Sequence, residues 1–326
     1  MKKILLSLLI LLIISMSCKE NKKNQKPTTT PTYESAPEFS ADSAFHFIAD
    51  QVRFGPRIPN TKAHEACAKY LIHKLNQYCD TVYIQPFIAT TYDGKKLKSQ
   101  NLVGSFGPTK GKRILLGAHW DTRPYADHDP DPAKRGNTFD GANDGASGVG
   151  VLLEIARQLA IKNPEYGVDI IFFDAEDWGT PAGVQVEGDW WCLGAQYWAT
   201  TPHKPGYRAE FGILLDMVGG KDARFFHEGV STQFAQHIVS KVWGKANRLG
   251  YSSYFINQPA NPIVDDHLYV NRYAGIPMIN IVHQDNTTGT GFISTWHTTF
   301  DNLDNIEKST LDVVGKTVLS IIYSEK

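Results

Sequence analysis

The chain has 326 residues, enough for one large domain or two small ones. It carries 33 Lys and Arg against 34 Asp and Glu, a formal net charge of -1, which argues against a protein that coats nucleic acid. At 42% hydrophobic and 21% charged residues the mix is that of an ordinary globular protein, excluding wholesale disorder and a multi-span membrane protein, and 4 Cys are too few for a disulfide scaffold.

Lys2 and Lys3 precede an apolar run from Ile4 to Ile14. That run is 11 residues long, short of the roughly 20 that a membrane-crossing helix needs. A basic start, a short apolar stretch and small residues read as a secretory signal over residues 1–17. Ser15-Met16-Ser17-Cys18 resembles a bacterial lipoprotein cleavage box with Cys18 as the lipidated residue, although Ser15 stands where Leu is usual. Plain secretion with Cys18 discarded is the alternative. Residues 18–38 are rich in Lys, Asn, Thr and Pro and bury too little apolar surface to order themselves, so they read as a tether. A single domain is expected over 39–326. The expected location is periplasmic, with a lipid anchor to a bacterial membrane through Cys18.

Beyond the tether, helix and strand signals alternate. Asp42 to Phe54 places Phe45, Ile48 and Val52 on one helical face after a Ser40 cap. Thr61 to Tyr78 is helical. Thr81 to Thr90 and Asn101 to Phe106 read as strands. Arg113 to Ala118, Val168 to Phe173, Phe211 to Leu215 and Pro277 to Val282 are short apolar runs typical of fully buried strands. Helices are predicted over Gly145 to Ile161, Ser231 to Leu249 and Asn302 to Tyr323. The pattern predicts an α/β fold with a mixed, largely parallel central sheet sandwiched by helices. Cys67 and Cys79 would lie about 18 Å apart along a continuous helix, beyond the roughly 7 Å reach of a disulfide. With Cys192 they read as free thiols.

The ends of the buried strands carry the chemistry. His119 follows the first, with Asp121 two residues on. Asp174, Glu176 and Asp177 follow the second, and Asp216 the third. Ligands of open α/β sheets bind beyond the carboxyl ends of the strands. Asp144, Asp265-Asp266-His267 and Trp296-His297-Thr298 add further candidates. Gathering so many carboxylates is costly unless a cation neutralises them, and mixed His and carboxylate ligands suit zinc.

Each residue also has a plainer explanation. Asp144 could cap the helix that begins at Gly145, and Glu176-Asp177 could be a solvated turn. His297 could be structural, Asp216 could cap a loop, and His119 could be a core histidine oriented by Asp121. Their joint placement at one sheet edge favours the metal. The small residues of Gly141 to Gly148 match neither a dinucleotide fingerprint nor a P-loop; they would let the helix start approach the metal. No G-x-S-x-G elbow is present, and Cys192 has no neighbouring base in sequence.

The series His119-Trp-Asp121, Gly-Ala-Asn-Asp144-Gly-Ala-Ser-Gly, Phe-Phe-Asp-Ala-Glu176-Asp177, Leu-Leu-Asp216-Met-Val-Gly, Asp265-Asp266-His267 and Trp296-His297-Thr298 resembles the zinc aminopeptidase-like superfamily. Within it the pattern is most similar to glutaminyl-peptide cyclotransferases (glutaminyl cyclases), particularly bacterial ones. The resemblance implies the zinc aminopeptidase-like α/β fold and one zinc per chain, held by Asp144, Asp177 and His297. It implies Glu176 as general acid and base, Asp216 and Asp265 as a supporting carboxylate chain, and Trp296 and Phe292 as pocket walls. His119 and Asp216 stand where two-metal aminopeptidases bind a second zinc, so His119 and Asp121 are second-metal or supporting positions. Three departures stand out: Asp177 where many relatives have Glu, Asn280 where animal cyclases have His, and Ala118 and Val149 where the animal enzymes have a Cys pair.

The expected reaction is cyclisation of the N-terminal glutamine of a peptide or protein to pyroglutamate with release of ammonia, with no nucleic-acid partner. The competing readings are a two-zinc aminopeptidase and, further off, a lipid-anchored zinc- or peptide-binding protein without catalysis. The long segments Pro124 to Phe139, Trp178 to Trp191 and His283 to Thr295 are expected to form walls or lids of the site.

Overall fold

The computed structural model describes residues 36–326; the expected signal at 1–17, Cys18 and all but the last three residues of the tether lie outside the described residues. Helix α1 (Ala41–Val52) starts where the Ser40 side chain accepts the Ser43 N–H, and α2 (Lys62–Tyr78) where Thr61 accepts that of His64. Strands β1 (Thr81–Thr90) and β2 (Lys96–Phe106) form an antiparallel hairpin in which Thr90 faces Lys96. β2 therefore begins five residues before the expected Asn101, because pairing with β1 recruits a stretch whose own pattern is polar.

Four buried strands follow: β3 (Arg113–His119), β4 (Gly167–Phe173), β5 (Phe211–Asp216) and later β8 (Met278–Val282). Between them come α3 (Ala146–Ile161), α4 (Leu193–Thr200), the short strands β6 (Phe225–His227) and β7 (Phe255–Pro259), α5 (Gly229–Arg248) and α6 (Asp266–Tyr269); α7 (Lys308–Ile322) closes the chain. The main sheet runs β1-β2-β4-β3-β5-β8. β4, β3, β5 and β8 are mutually parallel, and β1 and β2 are antiparallel additions on one side. The sheet is mixed and largely parallel, as the apolar runs predict.

Alternate strand residues point to opposite faces. Ile114, Leu116 and Ala118 pack with α1, α2, α3, α5 and α7, while Leu115 packs with α4 and α6. Two helical layers thus cover both faces, which is why the central strands are apolar along their whole length.

Five further elements depart from expectation. The closing helix starts at Lys308 rather than Asn302, after a 3-10 turn at Leu303–Asn305 in which Asn302 caps Asp304. α4, α6 and the β6–β7 pair carry no separate sequence signal; each is short and held by tertiary packing. Cys67, Cys79 and Cys192 are free. Among the described residues no helix is long and apolar enough to cross a membrane.

Candidate active site

Parallel pairing brings the carboxyl ends of β3, β4 and β5 to one edge, so His119, the Asp174–Asp177 turn and Asp216 arrive together. The turn after β4 reverses sharply, with Ala175 at φ 54°. It divides its acids. Asp174 faces away, accepting from His64 Nε2 at 2.9 Å and from the Gln100 N–H at 2.7 Å. Glu176 and Asp177 face the pocket.

Asp144 ends the loop before α3. It does not cap that helix; Gly145 occupies the cap position at φ 88° and makes no side-chain cap bond. The N–H groups of Asn143 and Asp144 donate instead to Asp301 Oδ1 and Oδ2 at 2.7 and 3.0 Å, which fixes the Asp144 backbone. The small residues here let the start of the helix pack closely against the strand ends. A side chain at Gly148 would meet the Leu215 carbonyl at 2.2 Å, and one at Gly145 would meet the Asp121 carbonyl at 2.8 Å.

His297 Nε2 lies 3.1 Å from Asp177 Oδ1 and 3.4 Å from Asp144 Oδ2. The ligand-capable atoms of these three buried residues all fall within 4.8 Å of one another. Neither Asp144 Oδ2 nor Asp177 Oδ1 has a hydrogen-bond partner. Two buried carboxylates aimed at one imidazole, with orphaned oxygens between them, are a donor set that a divalent cation satisfies. Behind the ring, Asp127 Oδ1 stands 3.7 Å from His297 Nδ1.

A second group shares Asp144. His119 Nε2 is 3.0 Å from Asp144 Oδ1 and 3.4 Å from Asp216 Oδ1, and His119 Nδ1 is 3.5 Å from Asp121 Oδ1. Asp121 is directed mainly at the backbone, accepting the N–H groups of Glu176 and Asp177.

Burial pushes the Glu176 carboxyl well above its ordinary range, with the nearby carboxylates of Asp177 and Asp265 adding to the rise. Burial likewise raises Asp216 to about 7, helped by Asp265 and Asp144. Asp144 suffers the same burial, but the hydrogen bond from His119 and the close approach of His297 outweigh it and hold Asp144 below the usual carboxylate range. The thiol of Cys192 donates to Glu176 Oε1 at 3.1 Å. Asp265 is held by Asn280 Nδ2 at 2.5 Å and by the Asp266 N–H at 2.6 Å. Glu176, held by Cys192, and Asp265, held by Asn280 and the Asp266 N–H, line the pocket together with Asp216, whose Oδ1 has no hydrogen-bond partner.

The pocket has a volume of about 320 Å³. Trp191, Phe292 and Trp296 wall it on one side, and Pro262, Ile263 and Val264 on another. The Trp296 ring stacks on His297 at 3.8 Å between centroids and on Phe292 at 4.5 Å. A larger cavity of about 720 Å³ lies across the 283–296 segment, lined by Lys221, Arg224 and His283 among others. It contains none of Asp144, Asp177 and His297.

Asp144, Glu176, Asp177, Asp216, Asp265, Phe292, Trp296 and His297 line one pocket, His119 contacts it through Asp144 and Asp216, and Asp121 supports its turn, whereas Asp174 and His267 are paired elsewhere. The wall segment expected from Trp178 to Trp191 contributes Trp191 to the pocket. Sequence reasoning missed Asp301 and Arg123. Arg123 is buried under the Glu176–Asp177 turn; its N–H donates to Asp177 Oδ2 at 3.1 Å, and its guanidinium grips Asp127 at 2.7 and 2.8 Å and stacks over Trp191. Its place two residues beyond Asp121 was the available signal. Nothing local marks Asp301.

A largely parallel α/β sheet with an acid and imidazole cluster at its carboxyl edge defines a metal-dependent α/β enzyme. The chain belongs to peptidase family M28, whose model matches residues 101–322. It is similar to the glutaminyl cyclase of Tannerella forsythia, with 53% identity over 89% of this chain and 100% of that one and a TM-score of 0.87. It is equally similar to a structure described as a Zn-dependent exopeptidase from Parabacteroides distasonis, with 55% identity, the same coverage and a TM-score of 0.88. The glutaminyl-peptide cyclotransferase of Bothrops jararaca is 26% identical over 82% of this chain and 77% of its own length.

Proposed function

We propose that this chain uses one zinc ion to convert the N-terminal glutamine of peptides and proteins to pyroglutamate, releasing ammonia. The observation that carries this reading is the pocket itself. It is about 320 Å³, at the small end of ligand sites, which run from about 300 to 1,000 Å³. It joins Asp144, Asp177 and His297 to Glu176 under an aromatic wall. Such a space takes one side chain with its amine, not a length of peptide. Similarity to bacterial glutaminyl cyclases over nearly the whole described chain supports the same reading.

Asp144, Asp177 and His297 would hold the zinc. The chemistry zinc supplies when bound is Lewis-acid polarisation of the glutamine side-chain carbonyl. Trp296, Phe292 and Trp191 pack the side chain so that its carbonyl carbon meets the peptide's own α-amine. Glu176 takes a proton from that amine as the new C–N bond forms. It returns the proton to the departing amide nitrogen, which leaves as ammonia. Asp216 and Asp265 surround Glu176 with negative charge that favours its protonated form midway. Nucleophile and electrophile share one residue, so placement can supply as much as about 7–11 kcal/mol, and no activated water is needed.

The group His119, Asp144 and Asp216 favours a second reading, a two-zinc aminopeptidase. Incubation with a Gln-initiated peptide separates the two. Ammonia without chain shortening supports cyclisation; a liberated amino acid overturns it.

Residues 1–17 are proposed as an export signal, 18–38 as a tether and 39–326 as the catalytic domain, with Cys18 lipidated at a membrane on the periplasmic side. Lys2, Lys3 and the apolar run from Ile4 support this. C18A should move the protein from the membrane to the soluble fraction; an unchanged distribution refutes the anchor.

A further inference from the structure

The motif Asp265-Asp266-His267 contributes Asp265 to the pocket, and the reaction leaves His267 without a task. His267 is fully buried, and its Nε2 meets Glu228 Oε2 at 2.9 Å. Glu228 is fully buried as well. Its carboxylate takes five donors. Oε1 accepts the N–H groups of Val230 and Ile263 at 2.7 and 2.9 Å. Oε2 accepts the Ser231 N–H and Oγ–H, both at 2.7 Å, besides His267.

Capping α5 needs only the first-turn amides. The other partners belong to the pocket side. Ile263 and His267 bracket Asp265 two residues to either side, so one carboxylate ties down both ends of the segment that carries it. A second route leads to the same place. Ser231 Oγ accepts the Asn280 N–H at 2.9 Å, and Asn280 Nδ2 donates to Asp265 Oδ2. Steric contact reinforces the tie, since a side chain at Gly229 would come within 2.7 Å of the Pro262 nitrogen.

We propose that Glu228 is a positioning residue for this active site: it fixes the 262–267 segment, and with it Asp265 and the Pro262–Val264 wall, in the geometry turnover requires. The proposal rests on the cyclase reading for its kinetic test. A carboxylate is the only side chain of this length with acceptors alone on both ends. In E228Q the amide nitrogen would face the N–H of Ser231 on one side or those of Val230 and Ile263 on the other, so the segment must shift.

The test uses the full zinc-loaded chain with a Gln-initiated peptide, in wild type, E228Q, D265N and the double variant. E228Q should keep its zinc and lose about ten- to hundredfold in kcat, the scale of hydrogen bonds to a charged group. Amides of residues 263–267 should exchange with solvent faster. In the D265N background the further loss from E228Q should shrink to below about threefold, because the two act through one segment. G229A, which presses on Pro262 without touching the charge, should also lower kcat and carries the test if E228Q does not fold. Unchanged kcat in a folded variant, or losses that multiply independently of D265N, would overturn the proposal. Wild type that releases no ammonia sinks the cyclase reading instead, and the exchange rates at 263–267 still report on the tie.

Discussion

The carboxylate of Asp121 receives the backbone N–H groups of both Glu176 and Asp177, at 3.1 and 3.2 Å. One side chain at the end of β3 thereby holds the proposed base and a proposed metal ligand on the turn after β4. The same turn is held from its carbonyl side, where the Cys192 and Leu193 N–H groups donate to Glu176 and Ala175 at 2.9 and 3.0 Å, but Asp121 is the acceptor of both amides. D121A should therefore weaken zinc retention and lower kcat together, each by about 10- to 100-fold, the usual cost of losing a supporting partner at a metal site. Zinc titration and turnover measured on one preparation check this. Loss of either property alone would show that Asp121 does not hold both residues.

The three-residue metal group and the His119 group make different demands on stoichiometry. H297A and D177A should lose bound metal and nearly all activity, since each removes a ligand. H119A should retain close to one zinc per chain while losing turnover, because it leaves Asp144, Asp177 and His297 in place. Chelation of wild type should abolish activity, and one equivalent of zinc should restore it. Elemental analysis near two zincs per chain, falling to one in H119A, would favour the aminopeptidase reading.

E176Q removes the proton carrier and preserves shape. Loss of a general acid and base costs typically about 10²–10⁴ in rate, and kcat should fall within that range. Glu176 is not among the proposed zinc ligands, so metal content should hold. A variant with full turnover would show that the proton travels by another group.

Glu228 predicts how stability depends on pH. Burial raises its pKa, but hydrogen bonds and the charge of His267 outweigh burial and lower it from 4.5 to about 2. A depressed carboxyl favours the folded state above the unfolded pKa, and that contribution is lost as pH falls through the folded one. About 3 kcal/mol should thus disappear between pH 4.5 and about 2. Urea midpoints followed with pH should show this slope in wild type. E228Q should be less stable at pH 7 and flatter across the window; an equally steep slope in E228Q would assign the loss to other groups.

Ala118 and Val149 are both packed in the apolar core. Asn280 holds Asp265. Two of the three departures expected from the sequence thus fall on packing and support; the third, Asp177, stands beside Asp144 and His297 among the proposed ligands.

Local pattern by itself determined the buried strands, most helices and the row of His, Asp and Glu residues at the strand ends. These follow from apolar runs and their boundaries, which a linear chain displays directly. Tertiary structure alone decided which of those residues converge. Asp174 and Asp177 are three positions apart on one turn, yet one faces His64 and the other His297, because a left-handed residue lies between them. Asp301 and Glu228 reach the site from segments with no distinguishing pattern. Their importance depends on the order in which parallel strands pair, and that order is set by contacts between residues far apart in the chain, which no local spacing records.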